Sequence, residues 1–104
     1  MRSRSLANAR RLLVPRYALR VDANQTEIVD ALLAAGYTVQ VIGKPVDLLI
    51  GKGGRWMMME IKTKGGTKTK FQKDFFERWA GYPLSLVDSP EAALRHARLV
   101  LGDV

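Results

Sequence analysis

Residues 21–104 predict one mixed α/β domain, a central mixed sheet covered by helices, in the order helix, three strands, helix, strand, helix. Three observations carry this. Apolar residues switch between helical and alternating spacing along the chain. The switches fall at Gly and Pro. A chain of 104 residues, 47% apolar and 26% charged, has the size and composition of a single globular domain.

The elements follow in order. From Asn24, Ile28, Leu32 and Ala35 recur at helical spacing, with Asn24 placed as N-cap and Gly36 as the C-terminal stop. Tyr37–Val41 is β-branched and alternating, hence a strand, broken by Gly43-Lys44-Pro45. Val46–Ile50 is a short apolar strand carrying one acid. Gly51-Lys-Gly-Gly54 reads as a four-residue hairpin turn, and Arg55–Lys62 as the next strand. A basic loop runs from Thr63 to Thr69. Helix resumes near Lys70, with Phe71, Phe75 and Trp79 on one side, and stops near Gly81. Leu84–Val87 is a strand. Ser89-Pro90-Glu91 opens a last helix, with Ser as N-cap, Pro at the first helical position and Glu in the positive first turn.

Charge narrows the function classes. Seventeen Lys and Arg against ten Asp and Glu leave +7. Residues 1–20 hold six Arg and no acid and read as a basic arm ahead of the domain; residues 41–80 hold nine bases against four acids. Clustered cations at this density are the footprint of a polyanion binder, here nucleic acid. The chain has no cysteine, which excludes a disulfide framework and thiolate-held zinc, and one His, which excludes His-rich metal sites. No apolar run is long enough for a membrane span. A bound metal would be a hard cation on carboxylates.

Chemistry concentrates on two strands. On 55–62, Trp56, Met58, Glu60 and Lys62 share one face, so an acid and a lysine point the same way from an otherwise apolar strand. With a four-residue turn, Ile50 opposes Arg55 and Asp47 falls opposite Met58, one diagonal step from Glu60 and on its face. Two facing carboxylates repel unless a cation lies between them, and Mg²⁺ or Mn²⁺ suits such a pair. Lys62 would stabilise charge developing on a phosphate. The plainer reading is a structural Lys–carboxylate pair at a sheet edge.

Pro45-Val46-Asp47, followed by Glu60-Ile61-Lys62, resembles the PD-(D/E)xK nuclease signature, with Val46 set between the Pro and the Asp. The element order is also that superfamily's core. Asp22-Ala-Asn-Gln-Thr-Glu27-Ile resembles the first helix of the virus-type replication-repair nucleases, where a Glu joins the metal site. Lys70-Phe71-Gln72 resembles that family's Gln after the catalytic Lys. The resemblance spans about residues 20–94. It implies a restriction-endonuclease-like domain and a Mg²⁺- or Mn²⁺-dependent DNA endonuclease. Asp47, Glu60 and Glu27 would hold the metal, with Lys62 and Gln72 completing the catalytic set. Similarity to Holliday-junction resolvases implies branched DNA as substrate, a homodimer, a role in DNA repair, and the cytoplasm of a bacterium or phage-infected cell.

On the residues alone, Asn24-x-x-Glu27 and Thr69-x-x-Gln72 also fit capping boxes, so both readings of Glu27 and Gln72 stand. Lys64, Lys68 and Lys70 of the basic loop, with Lys44 and Arg20, are candidate phosphate contacts. Trp56, Phe71, Phe75, Phe76 and Trp79 are residues able to stack on bases, but at helical and strand spacing they read as core or dimer interface, with Phe76, Trp79, Tyr82 and Leu84 as interface candidates. His96 reads as a solvated surface residue. A non-catalytic nucleic-acid-binding module of the same fold is the competing expectation.

Overall fold

The computed structural model describes residues 16–62 and 69–103, with backbone alone for 16–22. Residues 1–15 of the expected arm, the Arg20 side chain, and Lys64 and Lys68 lie outside the described residues. Three helices and four strands alternate as α1 (Arg16–Ala34), β1 (Thr38–Val41), β2 (Leu48–Lys52), β3 (Arg55–Ile61), α2 (Lys70–Arg78), β4 (Leu84–Val87) and α3 (Pro90–Leu101). The sheet order is β1-β2-β3-β4. The first two pairings are antiparallel and β3–β4 is parallel, so the sheet is mixed as predicted. The parallel pairing follows from the connection: α2 crosses over between β3 and β4, as parallel neighbours require.

Two predicted boundaries are corrected. Helix α1 begins at Arg16, so Asn24 sits inside it and cannot be its N-cap, and the helix runs across the expected division between arm and domain at residue 20. The hairpin between β2 and β3 turns on two residues, because Lys52 pairs with Arg55 and Gly51 with Trp56. Gly53 and Gly54 have φ of 58° and 81°. A two-residue turn with positive φ at both centres matches the right-handed twist of its strands, and glycine reaches it without a steric penalty.

Other local signals act as predicted. Helix α1 stops where Gly36 donates to the Leu33 carbonyl and Tyr37 to the Leu32 carbonyl, at 3.0 and 3.1 Å, with Gly36 at φ 96°. That double bond is the Schellman motif, and Leu32 and Tyr37 meet in the core beneath it. Ser89 Oγ accepts from the Ala92 amide at 3.1 Å, with Pro90 opening α3.

The sheet carries apolar residues on both faces. One face buries Leu48, Ile50, Met57, Met59 and Val87 against Ile28 and Leu32 of α1 and Ala93 and Ala97 of α3. The other packs Val46, Leu49, Met58 and Leu84 against Phe75 and Phe76 of α2 and its C-cap residue Trp79. Phe75 stacks on Trp79 with ring centroids 5.5 Å apart and meets Phe76 edge-on at 6.2 Å. Phe76, Trp79 and Leu84, expected as interface candidates, thus contribute to the chain's own smaller core, while Tyr82 remains exposed.

Tyr37 ties the chain's end to this frame. Its hydroxyl donates to the Gly102 carbonyl at 2.6 Å, and the side chain is buried. Burial first, then Asp103, raises its pKa above the ordinary 10.0, against a smaller lowering by Arg98. The folded state therefore holds this proton more tightly than the unfolded chain. The associated stability is present below the unfolded pKa and is lost as pH rises through the folded one. Tyr37→Phe is expected to cost about 0.5–1.5 kcal/mol at neutral pH, the net worth of one hydrogen bond. Denaturant titrations should show that difference shrinking in the alkaline range above the unfolded pKa.

Candidate active site

The site lies where β2 begins and β3 ends. The ladder pairs Leu48 with Met59 and Leu49 with Met58. Continued by one step, it sets Asp47 directly opposite Glu60, rather than on the diagonal that a four-residue turn implied. By strand alternation, Leu49, Met58 and Glu60 share the face that α2 covers.

Here side chains take over from the ladder. The Asp47 amide donates to Glu60 Oε1 at 3.2 Å, and the Ile61 amide donates to Asp47 Oδ2 at 2.8 Å. Each acid thus accepts a backbone N–H from the other's strand. The Asp47 carbonyl accepts from Ile42 and Gly43 at 2.9 and 3.2 Å, which fixes its backbone as well. Glu60 is 9% exposed. A carboxylate that deep is costly unless hydrogen-bonded, and charge-assisted bonds of this kind offset the desolvation.

The third member comes from α2. Gln72 Nε2 donates to Glu60 Oε2 at 2.8 Å. The same side chain accepts the Thr69 amide on Oε1 at 3.0 Å, while Thr69 Oγ1 accepts the Gln72 amide at 3.1 Å. The capping box and the site role are therefore not alternatives. The cap occupies the amide oxygen of Gln72 and so aims its NH₂ at Glu60. Thr69→Ala is expected to cost about 1 kcal/mol of stability as a lost cap. Were the carboxylate pair to hold a catalytic metal, Gln72→Ala would in addition lower turnover about 10- to 100-fold, the usual cost of losing a group that orients a metal-site carboxylate. Thermal melts and rate measurements on the two variants separate the effects, and equal turnover in both would leave Gln72 a cap alone.

Lys62 follows β3 directly. Its amide donates to the Val87 carbonyl at 2.7 Å, and its side chain is exposed. Arg98 and Asp103 form an ion pair at 3.1 Å on the surface. Lys44 and Lys70 are exposed on segments that converge here, Lys44 three residues before Asp47 and Lys70 in the first turn of α2.

Glu27 is not drawn into this cluster. It is exposed on α1, whose buried side packs on the opposite sheet face from α2, and being inside the helix it is no part of an Asn24 cap. Among the described residues no three His, Cys, Asp or Glu side chains stand together as a metal group. The acids brought together are two, Asp47 and Glu60. Their donors are all hard carboxylate oxygens, and Asp47 Oδ1 accepts no hydrogen bond from a described residue, so the pair fits Mg²⁺ or Mn²⁺, which needs one or two protein carboxylates.

Sequence reasoning missed one polar contact. His96 is half-buried, with Nδ1 3.1 Å from Ser85 Oγ on β4, and is not a solvated surface residue. The two are far apart in the chain, and no local pattern signals their pairing. No family model, curated protein or solved structure matches this chain.

Proposed function

We propose that this protein is a divalent-metal-dependent DNA endonuclease of the restriction-endonuclease-like fold, acting on branched DNA. The observation that carries the reading is the Asp47–Glu60 pair, held face to face by reciprocal backbone bonds and by Gln72 at the end of a mixed sheet in a +7 chain. A structural role alone would be served at lower cost by apolar residues, since burying unneeded charge is unfavourable.

In this reading Asp47 and Glu60 hold the metal, Gln72 keeps Glu60 oriented, and Lys62 carries a mobile positive charge to the scissile phosphate. When bound, Mg²⁺ would polarise the phosphate and lower the pKa of the attacking water. Lys44 and Lys70 add cations for the DNA backbone, which set affinity and orientation rather than sequence. A homodimer, related by a twofold axis, would supply two cleavage centres for a junction and double the charge that grips it.

Incubating the full chain with linear, flapped and four-way-junction DNA, with Mg²⁺ or Mn²⁺ and with EDTA, tests this. Metal-dependent cuts, preferred in branched substrates, are expected. Binding without cleavage in either metal would favour a non-catalytic nucleic-acid module instead.

A further inference from the structure

Phe71 is 56% exposed, although Phe75, one helical turn further along the same side of α2, is 5% exposed. A phenylalanine four residues from a core phenylalanine belongs to the inward stripe of its helix. Here that stripe continues beyond the last residue the sheet buries. Single exposed apolar side chains are ordinary. Position distinguishes this one. Gln72, the next residue, reaches Glu60 at 2.8 Å, so the turn that carries Phe71 is held against the carboxylate pair. The cap that aims Gln72 also fixes this turn, with Thr69 at its start. Lys70 and Lys73 lie on the same turn and are exposed, so the turn that carries the ring is also cationic.

We infer that Phe71 is a specificity-determining contact that stacks on an unpaired nucleotide base beside the scissile phosphate. This rests on the nuclease reading for where the phosphate lies. An exposed ring on a cationic helix turn presents an apolar face to a base, with positive charge nearby for its phosphates, the combination used on single-stranded nucleic acid. A base inside a continuous duplex has both faces occupied by its neighbours and offers nothing for the ring to cover. The substrate class is therefore DNA with unstacked nucleotides at the cleavage point, such as a flap, a single-stranded branch or an opened junction, rather than intact duplex.

The test is binding by the full chain in EDTA, where metal-dependent turnover is excluded, read by fluorescence anisotropy with a 20-nucleotide single strand and a 20-base-pair duplex. Phe71→Ala is expected to weaken the single strand roughly 5- to 100-fold, the range one stacked base supplies, and the duplex by less than about twofold. Phe71→Tyr should restore single-strand affinity, and a 2-aminopurine strand should be quenched by the wild type and not by Phe71→Ala. Unchanged single-strand affinity, equal loss on both DNAs, or no rescue by Tyr would overturn the assignment. A wild type that cuts nothing in Mg²⁺ or Mn²⁺ while Phe71→Ala still loses the single strand selectively would sink the nuclease reading and leave the stacking contact. Metal-dependent cleavage with no effect of Phe71→Ala on binding would do the reverse.

Discussion

Asp47→Asn and Glu60→Gln are each expected to reduce cleavage by more than about 100-fold, beyond the 10- to 100-fold cost of losing an outer partner such as Gln72. The amide variants are chosen because the site's geometry depends on its acceptors. Asn at 47 keeps an oxygen for the Ile61 amide, and Gln at 60 keeps one for the Asp47 amide while giving up the acceptor for Gln72 Nε2. The fold should persist while the charge that would hold a divalent cation is lost. DNA binding in EDTA should be unchanged or tighter, because one negative charge facing phosphate has gone. Since the two acids act as one unit, the double variant should cut no more slowly than the slower single variant. Near wild-type cutting by either single variant in Mg²⁺ would remove this pair from catalysis, whatever the effect on stability.

Lys62→Ala is expected to lower the cleavage rate about 100- to 1,000-fold, in line with the loss of one charge-stabilising donor at a transition state. Its melting temperature should stay within a degree or two. The two expectations have different origins. The Lys62 amide is fixed by Val87, which the substitution leaves in place. The side chain is exposed, and an exposed charge contributes little to stability. A stability loss without a rate loss would return Lys62 to the role of a sheet-edge residue. Lys62→Arg tests position against charge: a planar guanidinium keeps the charge but alters reach and geometry, so partial activity is the expected result.

The arrangement also explains why one site can depend on three separated segments and remain ordered. Asp47 is held through its amide, its carbonyl and its carboxylate, and Glu60 through both oxygens. Such a network is rigid when fully satisfied. Helix α2 reaches Glu60 through the Gln72 side-chain amide, whose orientation depends on the Thr69 cap.

The element order, the mixed α/β class, the helix stop at Gly36, the helix start at Ser89, and Asp47 and Glu60 as a pair on one face were all legible in the amino-acid pattern. These are local: periodicity, φ requirements and caps act over a few residues, and an acid in an apolar strand stands out without any partner in view. Tertiary structure decided the rest. It set the turn at Gly53-Gly54 and so moved Asp47 from a diagonal to a direct position opposite Glu60, because hairpin register depends on which residues pair. It showed Gln72 serving cap and carboxylate at once, which spacing had left as a choice. It left Glu27 apart from the pair, extended α1 back to Arg16, and joined His96 to Ser85. Phe71 and Phe75 are the same residue type on the same helical stripe, and local pattern treats them alike. Only tertiary packing makes Phe75 a core residue and leaves Phe71 exposed, one residue before the Gln72 that reaches Glu60.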